Sequence, residues 1–189
     1  QMKNLASQLN PHFLFNNLSV LTSLVYKDQE KAVDFINELS KVYRYVLENK
    51  SAELVTLSEE LVFLNHYIYL LKIRFENKIS FHINVADVNK NVMLPPMCLQ
   101  MLVENTIQHN EASKASPLDV NIYTEAQKII IENKILPRLN KTLSSNMGLK
   151  NIQSRYAYFT DEKVTISDDG QVFRVILPLL NHHLQHKSK

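Results

Sequence analysis

The stretch Asn10-Pro11-His12-Phe13-Leu14-Phe15-Asn16-Asn17-Leu18 sets one histidine among apolar and amide side chains at helical spacing. Further along, Leu102-Val103-Glu104-Asn105-Thr106-Ile107-Gln108-His109 sets a carboxylate beside an amide on a second amphipathic stretch. A neutral imidazole is a good nucleophile near pH 7 and forms a labile phosphoramidate, from which onward transfer is easy. Taken alone, His12 reads as a packing or surface residue. The second motif, in this order and at this distance, points instead to a phosphate-accepting histidine coupled to an ATP site. Asn16, four residues on, shares a helix face with His12 and can orient its ring, although an amide is no useful base. For Asn17, helix capping or solvation fits equally well.

The elements that must position these groups follow from periodicity. Leu5, Leu9, Phe13, Val20, Leu21 and Leu24 recur at helical spacing, and Val33, Ile36, Leu39, Tyr43 and Val46 do so again after Lys27-Asp28-Gln29-Glu30, which predicts a helical hairpin with Asp28 as N-cap of its second helix. Pro11 demands a kink or a fresh helix start just before His12, with Asn10 as its cap. Two helices cannot bury both apolar faces alone, so the hairpin is expected to pair with a second copy as a four-helix bundle. The pattern lapses at Asn49-Lys50-Ser51-Ala52-Glu53, which places a domain boundary there.

Beyond it, Thr56-Leu57-Ser58-Glu59-Glu60 opens a third helix, capped by Thr56 or Ser58 and running to about Phe75. Alternation at Ile79, Phe81, Ile83 and Val85 predicts a strand. Pro95-Pro96 is expected to start the helix of the second motif, ending near Asn110. Strands at 118–124 and 128–132, a loop-like stretch over 134–146, a helix over 148–159, and strands at 164–167 and 172–177 complete the pattern. The fold class is thus α+β, a helical hairpin followed by a five-stranded mixed sheet backed by helices. The expected units are 1–50, 51–180 and a solvated tail 181–189, where His182, His183 and His186 lack anything to fix a metal geometry.

Composition narrows the possibilities. Two glycines in 189 residues, against an average usage of roughly 7%, exclude Gly-rich phosphate loops of the P-loop or dinucleotide-binding kind. A net charge of +2 from 21 basic and 19 acidic residues gives no footprint for nucleic acid, so no direct nucleic-acid contact is expected. The single cysteine, Cys98, excludes an internal disulfide and a cysteine-rich zinc site, and reads as a small buried hydrophobe. No window approaches the ~18 apolar residues of a membrane span. The chain opens at Gln1 in mid-helix pattern, and the expectation is a fragment whose upstream part is missing.

The residues at 8–18, Gln8-Leu9-Asn10-Pro11-His12-Phe13-Leu14-Phe15-Asn16-Asn17-Leu18, resemble the phosphoacceptor signature of the LytS-type sensor histidine kinase family almost letter for letter. Leu39-Ser40 with Tyr43-Arg44-Tyr45 and Leu47 resembles that family's second hairpin helix. Thr56-Leu57 with Glu60-Leu61, Tyr67 and Arg74-Phe75 resembles its connector. Leu94-Pro95-Pro96, Leu99-Gln100 and Leu102-Val103-Glu104-Asn105 with His109 resemble the N-box of the GHKL ATPase superfamily, and Gly148-Leu149-Lys150-Asn151-Ile152 with Arg155 resembles the helix after the ATP lid. The similarity covers residues 5 to 180.

The resemblance implies a GHKL-type sandwich, with ATP and Mg²⁺ as cofactors. It implies that His12 takes the γ-phosphate and passes it to an aspartate of a response regulator, in this family often one of LytTR type. It also implies a homodimer, forming the cytoplasmic region of a protein anchored in the inner or plasma membrane through an upstream segment. Asn105 is the expected Mg²⁺ ligand through its amide oxygen, since a hard cation takes oxygen donors and keeps waters. Glu104 is expected to polarise a metal water or the attacking group, the alternative being a solvated helix carboxylate. His109 and Gln108 could line the same cleft, or be structural.

Two departures stand out. After Ile129-Ile130-Ile131 the family's Asp-x-Gly-x-Gly segment is expected, and this chain has Asn133 in place of the aspartate and neither glycine. The Asn133 Oδ1 can still accept the adenine amino hydrogen. Asn146 replaces the first glycine of the lid motif, leaving Gly148, Leu149 and Lys150 at a helix start that offers free N–H groups to phosphates, with Lys150 and Arg155 adding charge. The missing glycines motivate a second reading, a non-catalytic dimerisation and regulator-docking module with a degenerate nucleotide site.

Overall fold

The computed structural model describes residues 11–85, 92–137 and 147–181. The expectations for Leu5, Leu9 and Asn10, for the lid residue Asn146 and for the tail histidines lie outside the described residues.

The hairpin forms as its periodicity requires. Helix α1 spans Pro11–Lys27 and α2 spans Gln29–Glu48. Asp28 caps α2 by accepting from the Lys31 amide at 3.1 Å. Its backbone is extended, as an N-cap should be. The hairpin's two faces have different fates. Phe35 and Val42 are buried, and Phe13, Val20, Leu21 and Leu24 pack against the same core. Phe15, Leu18, Val25, Val33, Ile36 and Leu47 stay exposed.

A two-residue strand β1, Val55–Thr56, leads into helix α3, Leu57–Phe75, which starts on a complete capping box. Thr56 Oγ1 accepts from the Glu59 amide, and the Glu59 carboxylate accepts from the Thr56 amide. Each satisfies one donor that a helix start would otherwise leave unpaired. Helix α3 is central: Phe63, Leu64, Tyr67, Ile68, Leu70 and Leu71 are all buried, each worth about 2 kcal/mol of transfer free energy on full burial. Its outer face meets the hairpin. Glu38 of α2 bonds both Lys41 and His66 of α3. Burial pushes the Glu38 carboxyl up, but these two partners outweigh it and hold it below its ordinary value.

Strand β2 is Ile79–Asn84, β3 is Met93–Leu94, and helix α4 is Cys98–His109. Strands β4 (Leu118–Glu125) and β5 (Lys128–Lys134), helix α5 (Met147–Phe159), and strands β6 (Thr165–Asp168) and β7 (Val172–Pro178) follow. The sheet is five-stranded and mixed in the order β2-β4-β5-β7-β6, with β2 parallel to β4 and the other pairs antiparallel. Leu118, Val120 and Ile122 alternate inward on β4, and Ile129 and Ile131 on β5. That apolar face joins α3, α4 and α5 in one core that also takes in the hairpin's Phe35 and Val42. The short pair β1 and β3 stands apart from this sheet, with Val55 opposite Leu94. Two paired residues leave no periodic trace, so sequence reading had no means of finding them.

Helix α4 starts two residues later than the Pro95-Pro96 expectation. A residue followed by proline is pushed out of the helical region, so Pro95 cannot begin a helix. Met97 then turns through a left-handed φ of 62° and offers no side-chain cap. The cap comes from elsewhere in the chain. Glu60 of α3, 0% exposed, accepts from the Met97 amide at 2.9 Å and the Leu99 amide at 3.0 Å, and from the Tyr45 hydroxyl of α2 at 2.8 Å. Removing this carboxylate strands three donors in the core. Glu60→Ala is expected to cost about 3–5 kcal/mol of unfolding free energy and Tyr45→Phe about 1–2 kcal/mol, both read from urea denaturation.

Candidate active site

Beginning α1 at Pro11 sets His12 at the first turn, where its ring is exposed. The Asn16 Nδ2 lies 3.1 Å from His12 Nδ1 and 3.4 Å from Nε2, the i to i+4 geometry anticipated for an orienting amide. An asparagine amide can present either end to a ring nitrogen. With Nδ2 inward it donates to Nδ1, and with Oδ1 inward it accepts from Nδ1–H and leaves the Nε2 lone pair free. Asn17 has a structural place: it is buried, and its Nδ2 donates to the Phe13 carbonyl at 2.7 Å.

Phe13 connects the acceptor turn to the interior. Its ring stacks on Tyr67 of α3 with centroids 5.3 Å apart and planes at 30°. The Tyr67 hydroxyl in turn donates to Glu104 Oε1 at 2.9 Å. Glu104 is partly buried on α4. Burial raises its pKa above the ordinary carboxylate value, against hydrogen bonds from Tyr67 and Gln100 and the nearby charges of His12 and Arg74. The stack of Phe13 on Tyr67 and the Tyr67 bond to Glu104 therefore connect the turn that carries His12 to this carboxylate. The two motifs that the sequence separates by most of a domain meet here.

Asn105 and His109 lie one turn apart on α4. Asn105 is partly exposed and its side-chain amide makes no hydrogen bond among the described residues, so its oxygen is available to a cation; His109 and Gln108 are exposed. Among the described residues no group of three or more His, Cys, Asp or Glu converges on a point. A donor set of one amide oxygen suits a hard ion that keeps waters and substrate oxygens, as Mg²⁺ does, and does not suit an all-protein cage. Cys98 is fully buried, and burial pushes its thiol up to about 12, as an inert core residue requires.

Asn133 sits on the inward face of β5, 1% exposed. Its Oδ1 accepts from the Thr106 hydroxyl of α4 at 3.2 Å, and its Nδ2 donates to the Lys134 carbonyl at 2.8 Å. One Oδ1 lone pair remains. Gly148 lies in the first turn of α5, where an added Cβ would meet nothing within 4 Å. Leu149 is buried in the core and Lys150 is exposed. Arg155 does not join them. Its guanidinium donates to the Pro96 carbonyl at 2.7 Å, beside Glu60, and steadies the turn into α4.

From sequence, Glu60 is only an acidic first-turn residue complementing a helix dipole and Tyr67 only a member of the connector motif, because the Met97 amide and Glu104 that they bond lie 37 residues away. The amide at Asn133 is expected to be structurally specific. Asn133→Asp puts a buried carboxylate oxygen against the Lys134 carbonyl in place of a donor, and should lower stability by about 2 kcal/mol, measured by urea unfolding.

Comparison with known proteins places these features. The histidine kinase family model matches residues 1–79. The Sensor protein LytS of Oceanobacillus iheyensis is 34% identical over 203 residues, covering 96% of this chain and 35% of its own length. The Sensor histidine kinase/phosphatase LytS of Staphylococcus aureus is 33% identical over 138 residues, covering 70% of this chain and 24% of its own length. Among solved structures, the cytoplasmic segment of histidine kinase QseC is 14% identical, with a TM-score of 0.48 over 81% of this chain and 95% of that one. The chain thus spans about a third or less of the length of the curated relatives it matches. With its acceptor motif, hairpin, connector and five-stranded sheet, it belongs to the LytS-type sensor histidine kinase family.

Proposed function

We propose that this chain is the catalytic core of a two-component sensor kinase, which phosphorylates itself on His12 from ATP and passes the phosphoryl group to an aspartate of a response regulator. One observation carries the reading: an exposed His12, beside Asn16, adjoins Phe13, whose ring stacks on Tyr67, and the Tyr67 hydroxyl bonds Glu104 on the helix that also carries Asn105. In the transfer, the ring nitrogen's lone pair forms the N–P bond as the γ-phosphorus loses its bond to the β-bridging oxygen, and that electron pair leaves with ADP. The other ring nitrogen then sheds its proton. A carboxylate whose pKa burial raises is a suitable acceptor, and on this reading Glu104 takes the proton. Asn16 holds the ring in the tautomer that keeps the attacking nitrogen free. Asn105 would hold Mg²⁺, which when bound neutralises charge on the phosphate oxygens.

On this reading the GHKL-type nucleotide site is completed by Asn133, whose remaining lone pair would accept from the adenine amino group, by the α5 start at Gly148, Leu149 and Lys150, and by His109. Residues 1–50 serve dimerisation and phosphotransfer, and 51–180 nucleotide binding. The exposed hairpin face supports a homodimer. Leu14, Leu21, Ile36, Leu39, Tyr43 and Leu47 line an apolar groove between α1 and α2, suited to the same face of a second copy in a four-helix bundle. No described helix is long and apolar enough to cross a membrane. The same reading includes a membrane anchor in an upstream segment, with the core on the cytoplasmic side facing a regulator of LytTR type.

A second reading, a docking module without catalysis, draws on the sealed Asn133 and the missing glycines. Incubation with γ-labelled ATP and Mg²⁺ separates the two. The kinase reading expects label on the protein that survives alkali and is lost in acid, absent in His12→Gln and reduced by about two orders of magnitude in Asn105→Ala. No label on the intact dimer, together with no nucleotide-induced rise in Tm, would establish the docking module instead.

A further inference from the structure

Tyr67 has no part in the chemistry above, yet it touches both sides of the site. It is buried on α3, where packing alone would be met by any aromatic ring: it lies beside Phe63 at 6.4 Å and stacks on Phe13. Its hydroxyl adds something packing does not need, a 2.9 Å hydrogen bond to Glu104 Oε1. Gln100, one turn before Glu104 on α4, bonds to both groups. Phe13 is covalently next to His12. A single side chain with two rotatable bonds therefore spans from the acceptor turn to the carboxylate, and its two ends cannot move independently.

We propose that Tyr67 is a positioning residue for phosphoryl transfer, setting His12 against Glu104 by holding Phe13 with its ring and the carboxylate with its hydroxyl. The inference rests on the kinase reading given above, since it concerns how that site is kept in register. The ring and the hydroxyl have separable duties. The ring fixes where α1 begins relative to α3. The hydroxyl commits one carboxylate oxygen and so fixes the plane of the other. Loss of the hydroxyl should loosen the carboxylate while leaving the acceptor turn in place. Loss of the ring should release both.

Initial rates of autophosphorylation against ATP concentration test this in the dimeric protein. Tyr67→Phe should lower kcat about tenfold with KM for ATP within about twofold, because the nucleotide contacts are untouched. Tyr67→Leu should lower kcat further, and its loss should exceed what its Tm shift explains. In a Glu104→Gln background, Tyr67→Phe should cost less than about twofold more, the mark of a residue acting through the carboxylate. A Tyr67→Phe protein with wild-type kcat, a change confined to KM, or losses that multiply in the double variant would each overturn the proposal. If the wild type takes no label at His12, the kinase reading itself fails, and NMR of the His12 ring still decides the geometry. Its signals should move in Tyr67→Leu and stay near the wild-type positions in Tyr67→Phe. Unmoved signals in a folded Tyr67→Leu would show that Tyr67 does not position the acceptor.

Discussion

A carboxylate taken fully out of water is costly unless donors replace that water, and Glu60 gathers three donors by joining three parts of the chain. Its Oε2 accepts from the Tyr45 hydroxyl of the hairpin and the Met97 amide, and its Oε1 accepts from the Leu99 amide. The two amides open α4, so the negative charge also sits at the positive end of that helix. Burial raises the Glu60 pKa, while the hydrogen bonds from Tyr45, Met97 and Leu99 and the nearby Arg155 oppose the rise. A glutamine could not replace it, because an amide nitrogen cannot accept. Where α4 begins therefore fixes where Glu104 and Asn105 lie, and the same group records whether the hairpin is docked.

The hairpin is divided between two tasks by the helical repeat itself. Positions such as Phe13, Phe35, Val42 and Tyr45 turn toward α3, while Phe15, Leu18, Val33, Ile36 and Leu47 turn away. Docking on the sandwich side buries Phe35 and Val42 in the common core and adds specific side-chain contacts: the Tyr45 hydroxyl on Glu60, Glu38 on His66, the Phe13 stack on Tyr67, and the Tyr45 ring on Phe63 at 4.2 Å.

Much of this was legible in the sequence because it is local. The capping box at Thr56 and Glu59, the Asp28 cap, the change from helical to alternating periodicity after Phe75, and the pairing of His12 with Asn16 all depend on residues within one turn of each other. What sequence did not disclose depends on distance. Nothing near Glu60 announces that it will cap a helix 37 residues on, and a phenol within an apolar helix gives no sign of a carboxylate partner. Helix α4 starts after the proline pair rather than on it, and the carboxylate that caps it comes from Glu60, far away in the sequence. Arg155 was read as phosphate-facing charge and instead braces the Pro96 carbonyl.

The same distinction bears on the nucleotide side. Gly148 needs no left-handed φ, and among the described residues an alanine methyl there would touch nothing within 4 Å, so the first turn of α5 is open on that side. Asn133 argues in the other direction. Its amide is consumed at both ends by Thr106 and Lys134, which serves the joint between β5 and α4 before it serves any ligand. The acceptor side is thus assembled from contacts already made, whereas Asn133, on the proposed reading, meets a purine with a neutral group and one free lone pair where the family pattern has an aspartate. On that reading a nucleotide would be held more through its phosphates than through its base.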